Sequence, residues 1–203
     1  MRTLIPRRAL LSLLLLPALG GCLPALAGPA AAPTTVLVVR HAERASATDR
    51  DSPLSAAGEA RARALAETLA DAGVSAILAT EYQRTRNTAR PLAERLGIPV
   101  RVEAAAGSAE ASAAALARRI RAEHAGETVL VVGHSNTVPL IVAALGGGEV
   151  GPLGEDEYDR LFVVLLPAAG PPRTVRARYG APSSPSPAAQ ASHGHASRSS
   201  PKG

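Results

Sequence analysis

The stretch Thr35–Val39 (TVLVV), which is followed directly by the letters RHAE at positions 40–43, decides the fold of this chain. A continuous apolar and β-branched run of this length is typical of a strand that is buried on both faces of a parallel sheet. The same five letters recur at Thr128–Val132, and the letters GH follow them at positions 133–134. The two runs therefore predict two central strands, each of which ends in a segment that carries a histidine.

Weaker patterns extend this prediction along the chain. Four further strands are predicted at Ala76–Ala79, Pro99–Val102, Leu161–Leu166 and Val175–Arg178. Between the strands, apolar residues recur with helical spacing in three places: between Ser55 and Gly73, over residues 82–96, and from residue 113 to near residue 126. Pro91 should break or kink the second of these helices. Strands that alternate with helices predict an α/β fold, here a three-layer α/β/α domain with a mostly parallel sheet over residues 34–180.

The composition permits a core but limits what fills it. Hydrophobic residues make up 46% of the 203 residues, aromatic residues make up 2%, and tryptophan is absent. Alanine, valine and leucine must therefore fill the interior, and single-stranded nucleic acid would find few stacking partners. The single cysteine, Cys22, excludes an intrachain disulfide framework and a cysteine-rich zinc site.

The net charge of +5 belongs to the two ends of the chain. All 17 acidic residues lie between Glu43 and Asp159, whereas five of the 22 basic residues precede Cys22 or follow Gly180. Residues 22–180 consequently carry equal numbers of positive and negative side chains. Nucleic acid is therefore not an expected partner.

Residues 1–27 have the pattern of an export signal, in which basic residues precede an apolar run. That run, Ala9–Leu19, is shorter than the roughly 20 residues that a membrane span needs. The sequence offers two alternative cleavage sites. One is a lipobox-like LGGC at 19–22, which would leave a lipidated Cys22 at the N-terminus, and the other is an A-x-A site at 25–27. Both predict an exported protein of the periplasm or cell envelope, and the lipobox favours a lipid anchor.

The segments on either side of the predicted domain lack a core of their own. Residues 28–33 are expected to form a linker. Residues 181–203 are rich in serine, proline and alanine and hold neither an acidic nor a large apolar residue, so we expect a disordered tail.

Histidines and arginines collect where the predicted strands end. Arg40 and His41 follow the first strand, Arg84 lies shortly after the second, and His134 follows the Thr128–Val132 strand. The carboxyl ends of parallel strands meet at one edge of the sheet, where α/β proteins bind ligands. Arginine forks and helix N-termini select phosphate-like anions, and the arginines disfavour a metal cation between the histidines. The sequence therefore predicts a metal-free pocket for a phosphoryl group.

Four segments, in the expected order, resemble the signatures of the histidine phosphatase superfamily, which includes the phosphoglycerate mutase-like enzymes. They are RHAE at 40–43, D-x-P-L-S-x-x-G-x-x-R-A at 51–62, TEYQRT with the following TA at 80–89, and VVGHS at 131–135. The resemblance covers residues 35–180. Only 50 residues separate Arg84 from His134, and the S-x-W-N that follows in the mutases is absent after Glu43, so a compact phosphatase is expected rather than a true mutase.

The resemblance implies a role for each residue of the pocket. His41 would attack phosphorus and carry it as phosphohistidine, while Arg40, Arg84 and His134 would hold the phosphoryl oxygens. Elementary chemistry agrees, because a neutral imidazole attacks without losing a proton and arginines stabilise the developing charge. Water would resolve the intermediate, and no metal or cofactor is expected.

The proton donor for the leaving group lies in no recognisable motif. Glu103, after the third predicted strand, is favoured over Glu110 and Glu81. Glu43 is expected to form a structural ion pair with Arg40 or Arg44.

These observations predict an exported phosphatase that hydrolyses phosphomonoesters or phosphohistidine through His41. Its expected partner is a small phosphorylated substrate or a phosphoprotein. The alternative is a catalytically inactive lipoprotein that keeps the phosphatase fold as a binding module. The sequence indicates neither the physiological substrate nor the oligomeric state.

Overall fold

The computed structural model describes residues 32–104 and 107–183, which hold one central sheet and four helices. The elements in chain order are β1 (Thr34–Arg40), α1 (Ala56–Thr68), β2 (Val74–Ala79), α2 (Gln83–Leu96), β3 (Val100–Val102), α3 (Ala109–Glu123), β4 (Thr128–Gly133), α4 (Val138–Ala144), β5 (Arg160–Leu166) and β6 (Arg173–Arg178). The export signal with Cys22 and both cleavage sites lies outside the described residues, as does the tail from residue 184 onward. Those expectations, and the domain boundaries at residues 34 and 180, stay predictions.

The strands form a six-stranded sheet in the order β3-β2-β4-β1-β5-β6 within the described residues. β3, β2, β4 and β1 run parallel, whereas β5 pairs antiparallel with β1, and β6 pairs antiparallel with β5. The two TVLVV runs lie side by side, with Thr35 opposite Thr128 and Arg40 opposite Gly133. The predicted α/β class with a mostly parallel sheet is confirmed, and the histidine-bearing segments after β1 and β4 are neighbours.

Helices cover both faces of the sheet and complete three layers. β1 sends Leu37 and Val39 toward α1 and α2, and Val36 and Val38 toward α3 and α4. All four side chains are buried. Burial on both faces explains why β1 is a continuous apolar run rather than an alternating one.

Helix α2 contains Pro91, where the sequence predicted a break or a kink. The helix runs from Gln83 to Leu96, which contradicts the break. Proline lacks the N–H that would bond to the carbonyl of Asn87, four residues earlier. Thr88 and Leu92, on either side of Pro91, are fully buried, and this burial offsets the loss of one helical hydrogen bond.

Gly58 lets α1 approach the segment that follows β1. A Cβ atom added at Gly58 would lie only 2.1 Å from the carbonyl oxygen of Glu43. The backbone N–H of Ser55 donates to that same oxygen at 2.9 Å. Ser55 also caps α1, because its side chain accepts a hydrogen bond from the N–H of Gly58. The first turn of α1 therefore holds the RHAE segment by direct backbone contact.

We expect Gly58→Ala to lower the free energy of unfolding by about 2 kcal/mol, because the added methyl group must displace either Glu43 or α1. Chemical denaturation measures the change. The control is Ala60→Leu, which adds a larger group at an exposed position of the same helix and should shift stability by less than about 0.5 kcal/mol. A Gly58→Ala protein as stable as the parent would contradict the close approach.

Candidate active site

Backbone contacts fix His41 at the junction of β1 and β4. Its N–H donates to the carbonyl of Gly133 at 2.8 Å and so continues the pairing of the two strands. Its ring Nδ1 lies 2.8 Å from the carbonyl oxygen of Ala42. Because a carbonyl can only accept, Nδ1 carries the proton and Nε2 carries the lone pair. The ring is thus held in the tautomer in which Nε2 is the nucleophilic atom.

His134 lies beside His41, with the ring centroids 5.3 Å apart in an edge-to-face arrangement. Its Nδ1 is 3.4 Å from a terminal nitrogen of Arg84, and its Nε2 is 3.0 Å from Oγ1 of Thr80. A guanidinium can only donate, so Nδ1 accepts and Nε2 donates its proton to Thr80. His134 is therefore neutral, and the hydrogen bonds place the protons of the two rings on different ring nitrogens, Nδ1 of His41 and Nε2 of His134.

Burial keeps both imidazole rings uncharged. Loss of hydration lowers the pKa of His41 from 6.5 to about 3, and the neighbouring positive charges act in the same direction. Burial, reinforced by the charge of Arg84, lowers the pKa of His134 to about 4. A neutral imidazole with a free electron pair is consequently present in neutral and in mildly acidic solution.

Arg40 enters the site from the end of β1 with only 3% of its surface exposed. One terminal nitrogen donates to the carbonyls of Gly154 and Glu157, at 2.7 and 3.2 Å. The guanidinium carbon lies 4.1 Å from the ring centre of Tyr158, and the other terminal nitrogen is 3.8 Å from a carboxylate oxygen of Glu155. The loop between α4 and β5 therefore positions Arg40.

Arg84 reaches the same site from the first turn of α2. It donates to the carbonyl of Arg50 at 2.8 Å, and its guanidinium carbon lies 4.4 Å from the ring centre of Tyr82. Within the described residues, the Nε atoms of Arg84 and Arg40 are both buried and have no hydrogen-bond partner. A buried N–H group of a cation without an acceptor is costly, so the two arginines favour a bound anion.

Asp51 connects the loop before α1 to the N-terminus of α2. Its carboxylate accepts the backbone N–H of Gln83 at 2.7 Å and also the side-chain amide of Gln83. Tyr82 is the N-cap residue of α2, but its side chain makes no capping hydrogen bond. Asp51, from the loop before α1, accepts a hydrogen bond from the first turn of the helix in its place. The same hydrogen bonds lower the pKa of Asp51. The neighbouring carbonyl of Arg50, which binds Arg84, is thereby held in place.

Thr88 joins the segment that follows His41 to the helix that carries Arg84. Its hydroxyl accepts the N–H of Ala42 at 2.8 Å and donates to the carbonyl of Arg84 at 2.7 Å. Thr88 is fully buried. A shift of α2 would therefore also disturb the peptide that follows His41.

Glu43 pairs with Arg61, and not with Arg40 or Arg44 as the sequence predicted. Nε of Arg61 lies 3.0 Å from each carboxylate oxygen of Glu43, and a terminal nitrogen lies at 2.8 Å. Arg61 is 5% exposed and donates in addition to the carbonyls of Tyr179 and Ala181. Glu43 therefore links α1 and the end of β6 to the RHAE segment, a structural role with a different partner.

The three candidate proton donors lie in different surroundings. Glu103 lines the cavity that contains His41, and it is paired with Arg119 of α3. Glu110 is exposed in the first turn of α3, where hydrogen bonds at the helix N-terminus lower its pKa. Glu81 is exposed, and neither it nor Glu110 lines this cavity. Of the three, Glu103 alone lines this cavity.

Sequence reasoning did not single out Arg44, Tyr158 or Glu155 as site residues. Arg44 lines the cavity, and burial together with the charge of Arg44 lowers the pKa of Arg84. Arg44 directly follows the RHAE segment, and this adjacency was the feature of the sequence that could have identified it. Tyr158 and Glu155 contact Arg40 from a loop that carries no motif, so only the folded chain identifies them.

Arg40, His41, Arg84 and His134 border a cavity of about 540 Å³. We call the part that holds Arg40, His41, Arg84 and His134 the anion end. Across residues 32–104 and 107–183, no group of three histidine, cysteine or acidic side chains is placed to hold a metal ion. In the same ranges no helix combines the length and apolar character needed to cross a membrane.

Comparison with known proteins identifies related sequences. The family model of the histidine phosphatase superfamily (branch 1) matches residues 36–110, a range that contains three of the four signature segments. The curated protein described as “Probable phosphoglycerate mutase GpmB” of Enterobacter sp. (strain 638) is 39% identical over 71 residues, which are 32% of this chain and 33% of that protein. The chain therefore matches about a third of the length of this relative.

Solved structures with the same fold cover more of the chain. The protein histidine phosphatase SixA complexed with tungstate has a TM-score of 0.57 at 23% identity, over 71% of this chain and 96% of that one. The native structure of a mycobacterial glucosyl-3-phosphoglycerate phosphatase has a TM-score of 0.55 at 18% identity, over 73% of this chain and 99% of that one. Identities this low establish the similarity of the fold alone.

Proposed function

We propose that the chain is a member of the histidine phosphatase superfamily and a metal-independent phosphatase that hydrolyses phosphomonoesters or phosphohistidine through a phosphohistidine intermediate on His41. One observation carries this proposal. A neutral histidine, whose Nε2 carries the lone pair, shares a cavity with two arginines that each keep a buried N–H without an acceptor in the described residues.

The geometry supports a double displacement. Nε2 of His41 attacks phosphorus while the bond to the leaving oxygen or nitrogen breaks, and Arg40 and Arg84 neutralise the charge on the equatorial oxygens. The carbonyl of Ala42 stabilises the positive charge that the phosphorylated ring acquires, since it accepts the Nδ1 proton. A water molecule then attacks phosphorus and breaks the N–P bond, which releases phosphate and returns neutral His41.

Protonation of the leaving group is the weaker part of this site. Glu103 is the favoured donor because it lines the cavity, but Arg119 already binds its carboxylate. We therefore propose that the protein prefers leaving groups which need little protonation, such as phenols and the imidazole of phosphohistidine.

Trapping of the intermediate tests the proposed function. The full chain is incubated with radiolabelled phenyl phosphate without added metal and quenched in alkali. We expect label on the protein that resists base and is lost in acid, as a phosphoramidate should be, together with steady release of phenol. Release of phenol without protein-bound label would contradict the covalent route. Absence of both would favour the alternative, an inactive phosphatase-fold protein that serves as a binding module.

Neither active-site histidine should titrate near neutral pH. Because the pKa values of His41 and His134 are lowered to about 3 and about 4, their ring signals in NMR spectra should stay at neutral positions down to about pH 5. His41→Asn and His134→Asn assign the two signals, and the urea-unfolded chain, where both rings should titrate near pH 6.5, is the control. Titration of the folded His41 ring near pH 6.5 would contradict the neutral nucleophile.

The same pKa shift has a consequence for stability. The unfolded chain takes up a proton on His41 near pH 6.5, whereas the folded protein does not until about pH 3. The unfolded state therefore binds more protons between these values, and the free energy of unfolding should decrease as the pH falls through this window. The slope for this ring is at most about 1.4 kcal/mol per pH unit.

We propose that the protein acts outside the cytoplasm and is held at a membrane through Cys22. The apolar run Ala9–Leu19 and the LGGC segment at 19–22 support this proposal. Cys22→Ser should transfer the protein from the membrane fraction to the soluble fraction and abolish incorporation of labelled palmitate. A parent protein that is exported but already soluble would instead support cleavage at the A-x-A site, residues 25–27.

A further inference from the structure

The segment that follows β6 contacts the loop that positions Arg40. The hydroxyl oxygen of Ser183, which lies beyond the end of β6, accepts the backbone N–H groups of Tyr158 and Asp159 at 2.8 and 3.1 Å. The backbone N–H of Ser183 donates in return to a carboxylate oxygen of Asp159 at 3.2 Å. Three hydrogen bonds therefore attach Ser183 to the two residues that precede β5.

One peptide group joins this contact to Arg40. The N–H that Tyr158 donates to Ser183 and the carbonyl of Glu157 belong to the same peptide bond. That carbonyl accepts a hydrogen bond from a terminal nitrogen of Arg40 at 3.2 Å. A peptide group is planar and rigid, so an acceptor at its N–H end also fixes the direction of its carbonyl. Ser183 therefore orients an acceptor that holds the guanidinium of Arg40.

The ring of Tyr158 forms a second connection to the anion end. The guanidinium carbon of Arg40 lies 4.1 Å from the centre of this ring, and the centre of the His41 ring lies 6.1 Å from it. Ser183 binds the N–H groups on both sides of the Tyr158 α-carbon, so it fixes the backbone from which the ring projects. Loss of the Ser183 hydroxyl would release both the carbonyl and the ring that hold Arg40.

Neighbouring contacts hold Ser183 in place. Asp159 is only 1% exposed, and both of its carboxylate oxygens accept hydrogen bonds from Arg178 of β6 at 2.7 Å. Arg61 of α1 donates to the carbonyl of Ala181 at 2.9 Å. The segment after β6 is thus bound to α1 and to the start of β5, and Ser183 has a fixed position from which to hold the loop.

We propose that Ser183 is a positioning residue for phosphoryl transfer, because its hydroxyl oxygen fixes the peptide and the ring that hold Arg40. In the described part of the chain Ser183 does not line the cavity, so it acts through Arg40 and not by contact with the phosphoryl group. The inference rests on the proposed function, in which Arg40 neutralises charge on the equatorial oxygens. It places a residue that serves the reaction beyond residue 180, where the sequence predicted the domain to end.

A double-mutant cycle tests whether Ser183 acts through Arg40. Ser183→Ala in the full chain removes the acceptor of two N–H groups. We expect kcat/KM for phenyl phosphate to fall about ten-fold, because a displaced guanidinium loses part of its effect on the transition state. In the Arg40→Ala background the same substitution should change kcat/KM by less than about two-fold. An equal loss in both backgrounds, or no loss in the parent, would overturn the inference.

Vanadate binding gives the same comparison without turnover. Calorimetry measures the dissociation constant of vanadate, and Ser183→Ala should raise it about ten-fold only where Arg40 is present. This result in a protein that hydrolyses nothing would support the action of Ser183 on Arg40 and contradict the proposed function. Turnover with equal vanadate affinity in the parent and in Ser183→Ala would do the reverse. A parent protein that neither hydrolyses phenyl phosphate nor binds vanadate would overturn both.

Two variants of similar shape separate the hydroxyl group from packing. Ser183→Thr keeps the oxygen that accepts the two N–H groups, whereas Ser183→Val replaces it with a methyl group. We expect Ser183→Thr to keep at least about half of the parent kcat/KM and Ser183→Val to show the loss expected of Ser183→Ala. Because the two side chains have the same bulk, the comparison also holds if Ser183→Ala is too unstable to assay. Equal kcat/KM values for the two variants would overturn the inference.

Ser75→Ala is the matched control for loss of a serine hydroxyl. Ser75 is exposed near the start of β2, and its hydroxyl donates to Glu127 at 3.2 Å, just before the start of β4. These contacts lie at the end of the sheet opposite Arg40. The variant should therefore keep kcat/KM and vanadate affinity near the parent values. A loss equal to that of Ser183→Ala would overturn the inference, since the effect would not be specific to the loop that positions Arg40.

Discussion

His41→Ala should reduce kcat for phenyl phosphate by at least about 10⁴-fold, the scale on which removal of a covalent nucleophile acts. The variant lacks the only atom proposed to bond to phosphorus, while Arg40 and Arg84 stay in place to bind the substrate. Its KM should therefore change much less than its kcat. Phenol release in a continuous assay measures both, and retained turnover would contradict the mechanism.

Added imidazole distinguishes loss of the nucleophile from loss of structure. The vacated space lies next to the carbonyl of Ala42, which can hold an imidazole in the tautomer that His41 adopts. Dissolved imidazole should therefore restore part of the turnover in His41→Ala and have no effect on the parent protein. The variant should also unfold at nearly the parent denaturant concentration. A large loss of stability would mean that His41 serves mainly to hold the strands together.

Arg84→Ala should lower kcat/KM for phenyl phosphate by about 10²–10³-fold, the usual cost of losing one preorganised donor to a transition-state oxygen. It should also weaken inhibition by vanadate, because vanadate takes up the trigonal arrangement of the transferred group. The buried Nε of Arg84 and its fixed contact with the carbonyl of Arg50 are the reasons for this expectation. An unchanged vanadate inhibition constant would contradict the role of this arginine.

Two variants control for charge and for shape. Arg86→Ala removes a positive charge from an exposed position of the same helix and should leave kcat/KM and vanadate inhibition near the parent values. Arg84→Lys keeps the charge but lacks the planar fork that grips two oxygens, so it should recover only part of the loss. Full recovery with lysine would mean that charge alone matters at this position.

The central strands and the position of the site could be predicted from the sequence. The local apolar pattern identifies the strands, and the general topology of parallel sheets places the residues that follow them at one edge. Thr35–Val39 and Thr128–Val132 are too apolar to be anything but buried strands, and parallel neighbours bring their following residues to one edge. The sequence thus located His41 and His134 together. The roles of these residues as catalytic groups stay a prediction until turnover is measured.

The remaining features depend on distances that a linear pattern does not contain. The sequence does not show which nearby arginine pairs with Glu43. Gly58 lets α1 lie close to Glu43, and Arg61 of that helix therefore forms the ion pair. Helix α2 continues through Pro91 because burial of its neighbours outweighs local preference. Tyr158 reaches Arg40 from a loop whose path follows no regular pattern.

The hydrogen bonds around His41 bear on how the protein loses activity when it is heated. The N–H of His41 is bonded to Gly133 of β4, and the next N–H, that of Ala42, is bonded to Thr88 of α2. Neither bond can open unless the central strands or the helix separate, so fraying at the surface leaves the segment that carries His41 intact. These two amides should rank among the slowest to exchange with deuterium, and heat inactivation should coincide with cooperative melting of the whole domain.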